Sequence, residues 1–283
     1  MESTQTATIG IDLGGTSTRI GLYDKDLSLV DSRSMVTRVA AGAQACVEEM
    51  AEAVQSLLDG AHGFAAADIL GVGIGSPGPI NLRTGVLGHL PNFPGWDDFP
   101  LRDSLAKATG LPVILESDAN AAAIAEWKLG AGKSTGLNSM AMLTLGTGVG
   151  TGLILDGKVW HGMFGMGGEV GHSTLDPEGP LCGCGSHGCL EVFASANGLV
   201  RLATQAAEAD SGTVALRALV ADPENFTTRA VADLANEGDS AARQAFERLG
   251  FYLGLGVASI INTLDVPMIV IGGGVAGAWM LFA

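Results

Sequence analysis

The sequence predicts an α/β protein of two similar lobes, and three observations predict it. Strand-like apolar runs alternate with helix-like stretches along the chain, the pattern of strands covered by helices. Two segments echo each other, one in each half. Ile11-Asp12-Leu13-Gly14-Gly15-Thr16 leads into a second apolar run ending at Asp24, and Leu143-Thr144-Leu145-Gly146-Thr147-Gly148 leads into one ending at Asp156. With 283 residues and 47% hydrophobic content, the chain is long enough for two cores.

Each echo reads as strand, tight glycine turn and strand, closed by an acidic turn residue. Glycine lets a backbone approach a ligand closely. The turns of Gly14, Gly15 and Thr16, and of Gly146, Thr147 and Gly148, can therefore offer N–H groups and a hydroxyl to phosphate oxygens. Between the echoes the pattern predicts a helix over 41–58 and a strand over 69–75 that ends in Ser76-Pro77-Gly78-Pro79. A helix over 101–109, a strand over 111–115 and a helix over 119–129 follow, the last capped by Asp118 or a neighbour. Beyond the second echo, helices are expected over 192–209, 214–220, 227–237 and 240–264. The uncharged run 266–283 is long enough on paper for a membrane span. It reads instead as a buried strand breaking into Gly272-Gly273-Gly274. The division between lobes falls at 117/118, giving an N-terminal lobe of 1–117 and a C-terminal lobe of 118–283 joined by a short hinge. Two lobes facing one ligand imply closure, which excludes water.

Three of the four cysteines lie together in Cys182-Gly-Cys184-Gly-Ser-His187-Gly-Cys189, after Glu169-Val-Gly-His172. Three thiolates and an imidazole suit a closed, structural Zn²⁺ site. His172 is the expected fourth ligand, with His187 as the competing imidazole. The plainer reading, three reduced thiols packed as small apolar residues, fits poorly with so many glycines. Glu169 and Glu191 flank the cluster, so a metal would fix two carboxylates in place. Cys46 sits in an alanine-rich helical stretch and is expected to pack.

Lys and Arg number 15 against 30 Asp and Glu, a net charge of -15. That balance argues against nucleic acid or an anionic membrane as partner. It leaves room for a small anion held by backbone N–H groups and a cation. Residues 1–8 carry no basic and apolar leader. With reduced cysteines, this points to the cytoplasm.

Taken together, these segments resemble the ROK family of sugar kinases and repressors, which has the two-lobed actin/hexokinase-like (ribonuclease H-like) fold. Asp12-Leu-Gly-Gly-Thr16 and Leu145-Gly-Thr-Gly-Val-Gly150 are similar to its two phosphate motifs. Ile269-Val-Ile-Gly-Gly-Gly-Val275 is similar to its adenosine-side strand and turn, and Glu169-Val-Gly-His172 with the cysteine cluster to its sugar and zinc signature. The resemblance implies ATP-dependent phosphorylation of a hexose, most like the glucose-phosphorylating members. Kinases for N-acetylmannosamine, fructose or allose are the alternatives, beside an impaired sugar-binding protein. It implies that Asp118, in Glu116-Ser-Asp-Ala-Asn120, is the general base. A carboxylate of ordinary pKa, about 3.9, is already ionised at neutral pH. Asn92, Ser117, Glu169, His172 and Glu191 would bind sugar, with His172 also on zinc. Asp12 would hold Mg²⁺, the two Gly/Thr turns the phosphates, and Gly272 and Gly273 the adenosine. Family repressors carry a DNA-binding segment before the first lobe, whereas here the Asp12 turn comes almost at once. Relatives commonly form dimers or tetramers, so a homodimer or homotetramer is expected. Two departures stand out. Ser117 replaces the family's usual Asn, and family chains usually continue past the Gly-Gly-Gly turn, so a shortened C-terminal lobe is expected. His62, His89 and His161 carry no readable role.

Overall fold

β1 (Ala7–Leu13) buries Ala7, Ile9, Ile11 and Leu13 and leaves Asp12 exposed, the period of two of a pleated strand. It opens a computed structural model that describes residues 6–60, 63–90, 92–163, 165–210 and 212–283. The first five residues, His62 and Pro91 lie outside the described residues. The chain divides into two compact units. One runs to Ala121 and takes in His161–Gly167; the other holds Ala122–Trp160 and Gly168–Ala283.

In the first unit β1 is followed by β2 (Ser17–Asp24), β3 (Leu29–Val36), α1 (Ala43–Leu58) and β4 (Ile69–Ser76). A small hairpin, β5 (Ile80–Asn81) and β6 (Val86–Leu87), leads to α2 (Leu101–Thr109) and β7 (Val113–Ser117). The sheet order is β3-β2-β1-β4-β7, with β1, β4 and β7 mutually parallel and β2 and β3 antiparallel. α1 buries Cys46, Val47, Met50, Val54 and Leu57, the three-and-four spacing of one helical face. Its Cys46 packs in the core as expected. α2 stops at Gly110, whose φ of 69° supplies a left-handed C-terminal cap. β3 was not legible as a strand: it is an edge strand with no buried residue.

α3 (Asp118–Lys128) leaves β7 directly and carries the chain into the second unit. There β8 (Met140–Leu145), β9 (Val149–Leu155) and β10 (Lys158–Val159) form an antiparallel meander. Asp156 and Gly157 turn β9 into β10 with φ of 49° and 76°, the positive pair a two-residue hairpin needs. The helix expected over 192–209 is two: α4 (Glu191–Ala194) and α5 (Ala196–Ala209). Ser195 adopts an extended conformation between them, and its hydroxyl accepts from the Gly198 N–H, so it caps α5 rather than continuing α4. α6 (Val214–Val220), α7 (Thr228–Glu237) and α8 (Ser240–Leu264) follow. β11 (Ile269–Gly272) pairs parallel with β8, then the chain enters short 3-10 turns over Gly274–Leu281. Leu143 and Leu145 of β8 pack with Leu199 and Leu202 of α5 and Phe246, Leu249 and Leu253 of α8 in one apolar cluster. Among the described residues no helix is long and apolar enough to cross a membrane.

Candidate active site and metal centre

The first unit gathers its candidate residues at the C-terminal edge of its parallel strands, where open α/β sheets place their ligands. In register, Asp12 lies beside Gly75 and Gly75 beside Glu116. Asp12 and Glu116 are thus two strands apart, roughly 10 Å at the usual strand spacing. Glu116, Ser117 and Asp118 turn the chain from β7 into α3. Ser117 Oγ accepts from the Asn120 N–H at 3.2 Å, the bond of an N-cap. The cap expected from Asp118 or a neighbour is therefore Ser117. Asp118 is exposed at the first position of α3, with its Oδ1 2.7 Å from the Ala119 amide. Ser117→Ala is expected to cost about 0.5–2 kcal/mol of stability, read as a fall in Tm.

The turn of Gly14, Gly15 and Thr16 and the loop of Asn92 adjoin one another in this unit. Gly14 N–H donates to Ser17 O at 3.1 Å, closing the turn. A Cβ on Gly15 would meet the Phe93 ring at 3.7 Å, an ordinary packing distance. Phe93 and Trp96 are buried with ring centroids 5.0 Å apart, and Trp96 Nε1 donates to Val39 O at 3.2 Å. These anchors leave Asn92 exposed beside them.

The second unit holds the cysteine cluster. One ligand atom each from His172, Cys182, Cys184 and Cys189 lies within 4.8 Å of the others. A tetrahedral ion with Zn–S bonds of about 2.3 Å sets its sulfurs about 3.8 Å apart. Cys184 Sγ and Cys189 Sγ are 3.7 Å apart, and Cys182 Sγ is 3.6 Å from His172 Nδ1. The residues fit the metal, and the grouped imidazole is His172, not His187. Burial pushes the Cys182 thiol up to about 12 and raises Cys189, while hydrogen bonding from the Ser186 backbone lowers Cys184.

Glu191, at the start of α4, ties this cluster to the second glycine turn. Its Oε2 accepts from the Val149 N–H at 3.0 Å and its Oε1 lies 3.8 Å from Cys182 Sγ. The Ala196 N–H donates to Gly146 O at 2.8 Å, a second tie. A Cβ on Gly148 would run into the Glu191 carboxylate, whereas one on Gly146 would meet no atom within 4 Å. Gly148 is thus spoken for by Glu191, and Gly146 is the open member of the turn. Gly148→Ala is expected to displace the Glu191 carboxylate and break its bond to the Val149 N–H, speeding amide exchange at Val149 with metal content unchanged. Hydrogen exchange and metal analysis on the same sample check this.

Glu169 precedes the 3-10 turn Val170–His172, with part of its side chain open to solvent and the rest covered. Loss of hydration raises its pKa, with His172 pulling it down and Glu191 pushing it up. Of the third glycine run, Gly272 pairs with Thr144. Gly273, at a φ of 88°, packs so close to the Leu145 backbone that a Cβ would sit 2.5 Å from Leu145 O. Gly274 is the open position, with nothing within 4 Å.

Sequence reasoning missed Glu116 and His161. His161 Nε2 is 2.7 Å from Glu116 Oε2, so His161 does have a role to be assigned. The other unread histidine among the described residues, His89, is exposed and pairs with Asp97 at 2.9 Å. Glu116 lies on β7, two residues before α3 begins, and no local spacing pairs it with His161, 45 residues away.

Similarity to known proteins extends over nearly the whole chain. The model of the ROK family matches residues 8–282. A glucokinase of Halalkalibacterium halodurans is 39% identical over 272 residues, which are 95% of this chain and 81% of that protein. The crystal structure of a ROK hexokinase from Thermus thermophilus superposes with a TM-score of 0.78 at 39% identity, covering 98% of this chain and 86% of that one. A ROK family glucokinase from Streptomyces griseus, solved in complex with glucose and AMPPNP, gives a TM-score of 0.81 at 35% identity, over 96% and 84% of the two chains.

Proposed function

This chain belongs to the ROK family and is glucokinase-like, and from that premise we propose that it transfers the γ-phosphoryl group of ATP to glucose, giving glucose 6-phosphate. The observation that supports this most is the placement of Asp118. It stands exposed at the C-terminal edge of the parallel strands, next to Ser117 and two strands from Asp12. Phosphoryl transfer asks the protein chiefly for positioning, charge neutralisation and a base at the nucleophile.

Each residue has a part in that chemistry. Asp118 takes the proton from the attacking hydroxyl. Ser117 Oγ already accepts from the helix, so its O–H remains to donate to a second sugar hydroxyl. Asn92, Glu169 and Glu191 bind further hydroxyls. A site that pairs buried polar groups with hydroxyls rejects analogues lacking them by about 10⁴–10⁵. His172 Nδ1 faces the thiolates, which leaves Nε2 for the sugar. Asp12 supports the Mg²⁺ that accompanies the nucleotide. The open backbone at Gly146, with Thr147 and the Gly14, Gly15 and Thr16 turn, receives phosphates; Gly272, Gly273 and the open Gly274 receive adenosine. Zinc on His172, Cys182, Cys184 and Cys189 has four protein ligands and therefore acts as a structural clamp.

The test is ATP-dependent phosphorylation across glucose, mannose, fructose, allose, N-acetylglucosamine and N-acetylmannosamine. The expected result is the largest kcat/KM with glucose. A larger value with another sugar moves the substrate assignment to that sugar. Sugar binding without turnover on any of them removes the kinase reading.

A further inference from the structure

We propose that His161 and Glu116 are positioning residues that hold the Ser117–Asp118 corner in its working geometry. This rests on the reading of Asp118 as the general base. The Glu116 carboxylate is the hub. Its Oε1 accepts from the Ser117 N–H at 2.9 Å and from Asn120 Nδ2 at 2.9 Å, and its Oε2 meets His161 Nε2 at 2.7 Å. Asp118 lies between two of those partners in sequence, so its backbone is fixed from both sides. Ser117 closes the same corner by accepting from the Asn120 N–H.

The side chains at this hub have little freedom. Asn120 is buried, and its Oδ1 has no partner among the described residues. Flipping that amide would aim its oxygen at a carboxylate, so the bond to Glu116 sets its orientation. The Glu116 side chain is only 18% exposed and that of His161 37%, so the bond between them is partly sheltered from water.

His161 is itself placed in advance. The chain enters the first unit at His161 and leaves it at Gly167. The Gly167 N–H donates to His161 O at 2.9 Å and closes that segment at its base. Gly162 and Gly165 turn within it at φ of 70° and 82°. A residue remote in sequence thereby reaches the strand end that bears the base. A misplacement of about 1 Å by a group outside the reacting atoms can cost about 10²-fold in rate.

The experiment uses the full chain as wild type, His161→Ala, His161→Gln, Glu116→Ala and the double variant His161→Ala/Glu116→Ala. For each, kcat, KM for glucose, Tm, and hydrogen exchange of the peptide spanning 113–121 are measured. His161→Ala is expected to lower kcat by roughly 10–10²-fold with a much smaller change in KM, and to speed exchange at 117–120. His161→Gln, whose amide N–H can still reach Glu116, is expected to recover most of both. The double variant is expected to be no worse than Glu116→Ala alone, because residues in one network are not additive. An unchanged kcat in His161→Ala, or losses that multiply in the double variant, would overturn the proposal. If the wild type phosphorylates no sugar, the kinase reading fails, and the exchange data alone decide whether His161 holds the corner.

Discussion

Replacing Asp118 by Asn is expected to lower kcat by about 10²–10⁴-fold, the usual worth of a general base, or roughly 3–5 kcal/mol of barrier. The exchange is chosen to leave the structure in place. Asn retains an Oδ1 that can accept from the Ala119 amide, 2.7 Å from the Asp118 oxygen. The helix keeps its cap, because that cap is Ser117. Glucose affinity and zinc content should therefore stay within a few-fold of wild type, while turnover collapses. Steady-state kinetics, with glucose binding followed by calorimetry, separates the two. A variant that kept near-normal turnover would take the base role away from Asp118. A parallel loss of binding would make Asp118 a sugar ligand first.

The parts of the fold legible in the sequence are those with local causes. α8 (Ser240–Leu264) is bounded as expected because Asp239 caps it, accepting from Ala241 and Ala242 at 3.1 and 2.9 Å. α2 ends as expected at a glycine. The glycine turns and the cysteine spacing are likewise local, and so the metal cluster was readable before its geometry. The break at Ser195 was not, because a serine inside an apolar helical stretch gives no sign whether it caps or continues. β3 was hidden because its half-buried positions include Asp31 and Arg33, so its period-two alternation is not an apolar one. The bond from Val149 to Glu191 joins residues 42 apart, and that from His161 to Glu116 joins residues 45 apart. Such contacts follow from tertiary packing, which no window of sequence contains. Hence Glu191 was found through its neighbours in sequence but its hold on the glycine turn was not. Ser117 was read as a departure in sugar contact, and the cap was expected from Asp118 or a neighbour; that the capping oxygen is Ser117 Oγ emerged with α3.

Stripping the metal is expected to have the second large effect, because three elements meet at it that are otherwise joined only by a few backbone bonds, such as Leu190 N–H to Ser173 O at 2.9 Å and Leu175 N–H to Gly188 O at 2.8 Å. The turn Val170–His172 supplies His172, the loop of 182–189 supplies the thiols, and α4 begins two residues later with Glu191. Without an ion, the three thiols and the imidazole have only weak sulfur hydrogen bonds between them, and the loop keeps backbone bonds such as Cys182 N–H to Ser186 O at 2.8 Å. Structural zinc sites in small peptides contribute roughly 10–16 kcal/mol of apparent binding energy near neutral pH. Chelation should therefore lower Tm, and it should release Glu191 from Val149 and weaken glucose binding. The metal should bind less tightly as pH falls, because binding requires thiolates and so displaces protons. The sign follows from Cys182, whose burial without metal favours the protonated thiol, up to about 12. Acid adds to that preference and alkali removes it. His172→Ala should reproduce the chelated state and His187→Ala should not, because only His172 belongs to the cluster. Metal content by atomic absorption, with Tm and glucose affinity before and after chelation, makes the comparison. A chain that holds no zinc, or loses it without change in Tm or sugar binding, would leave the cysteines as ordinary packed thiols.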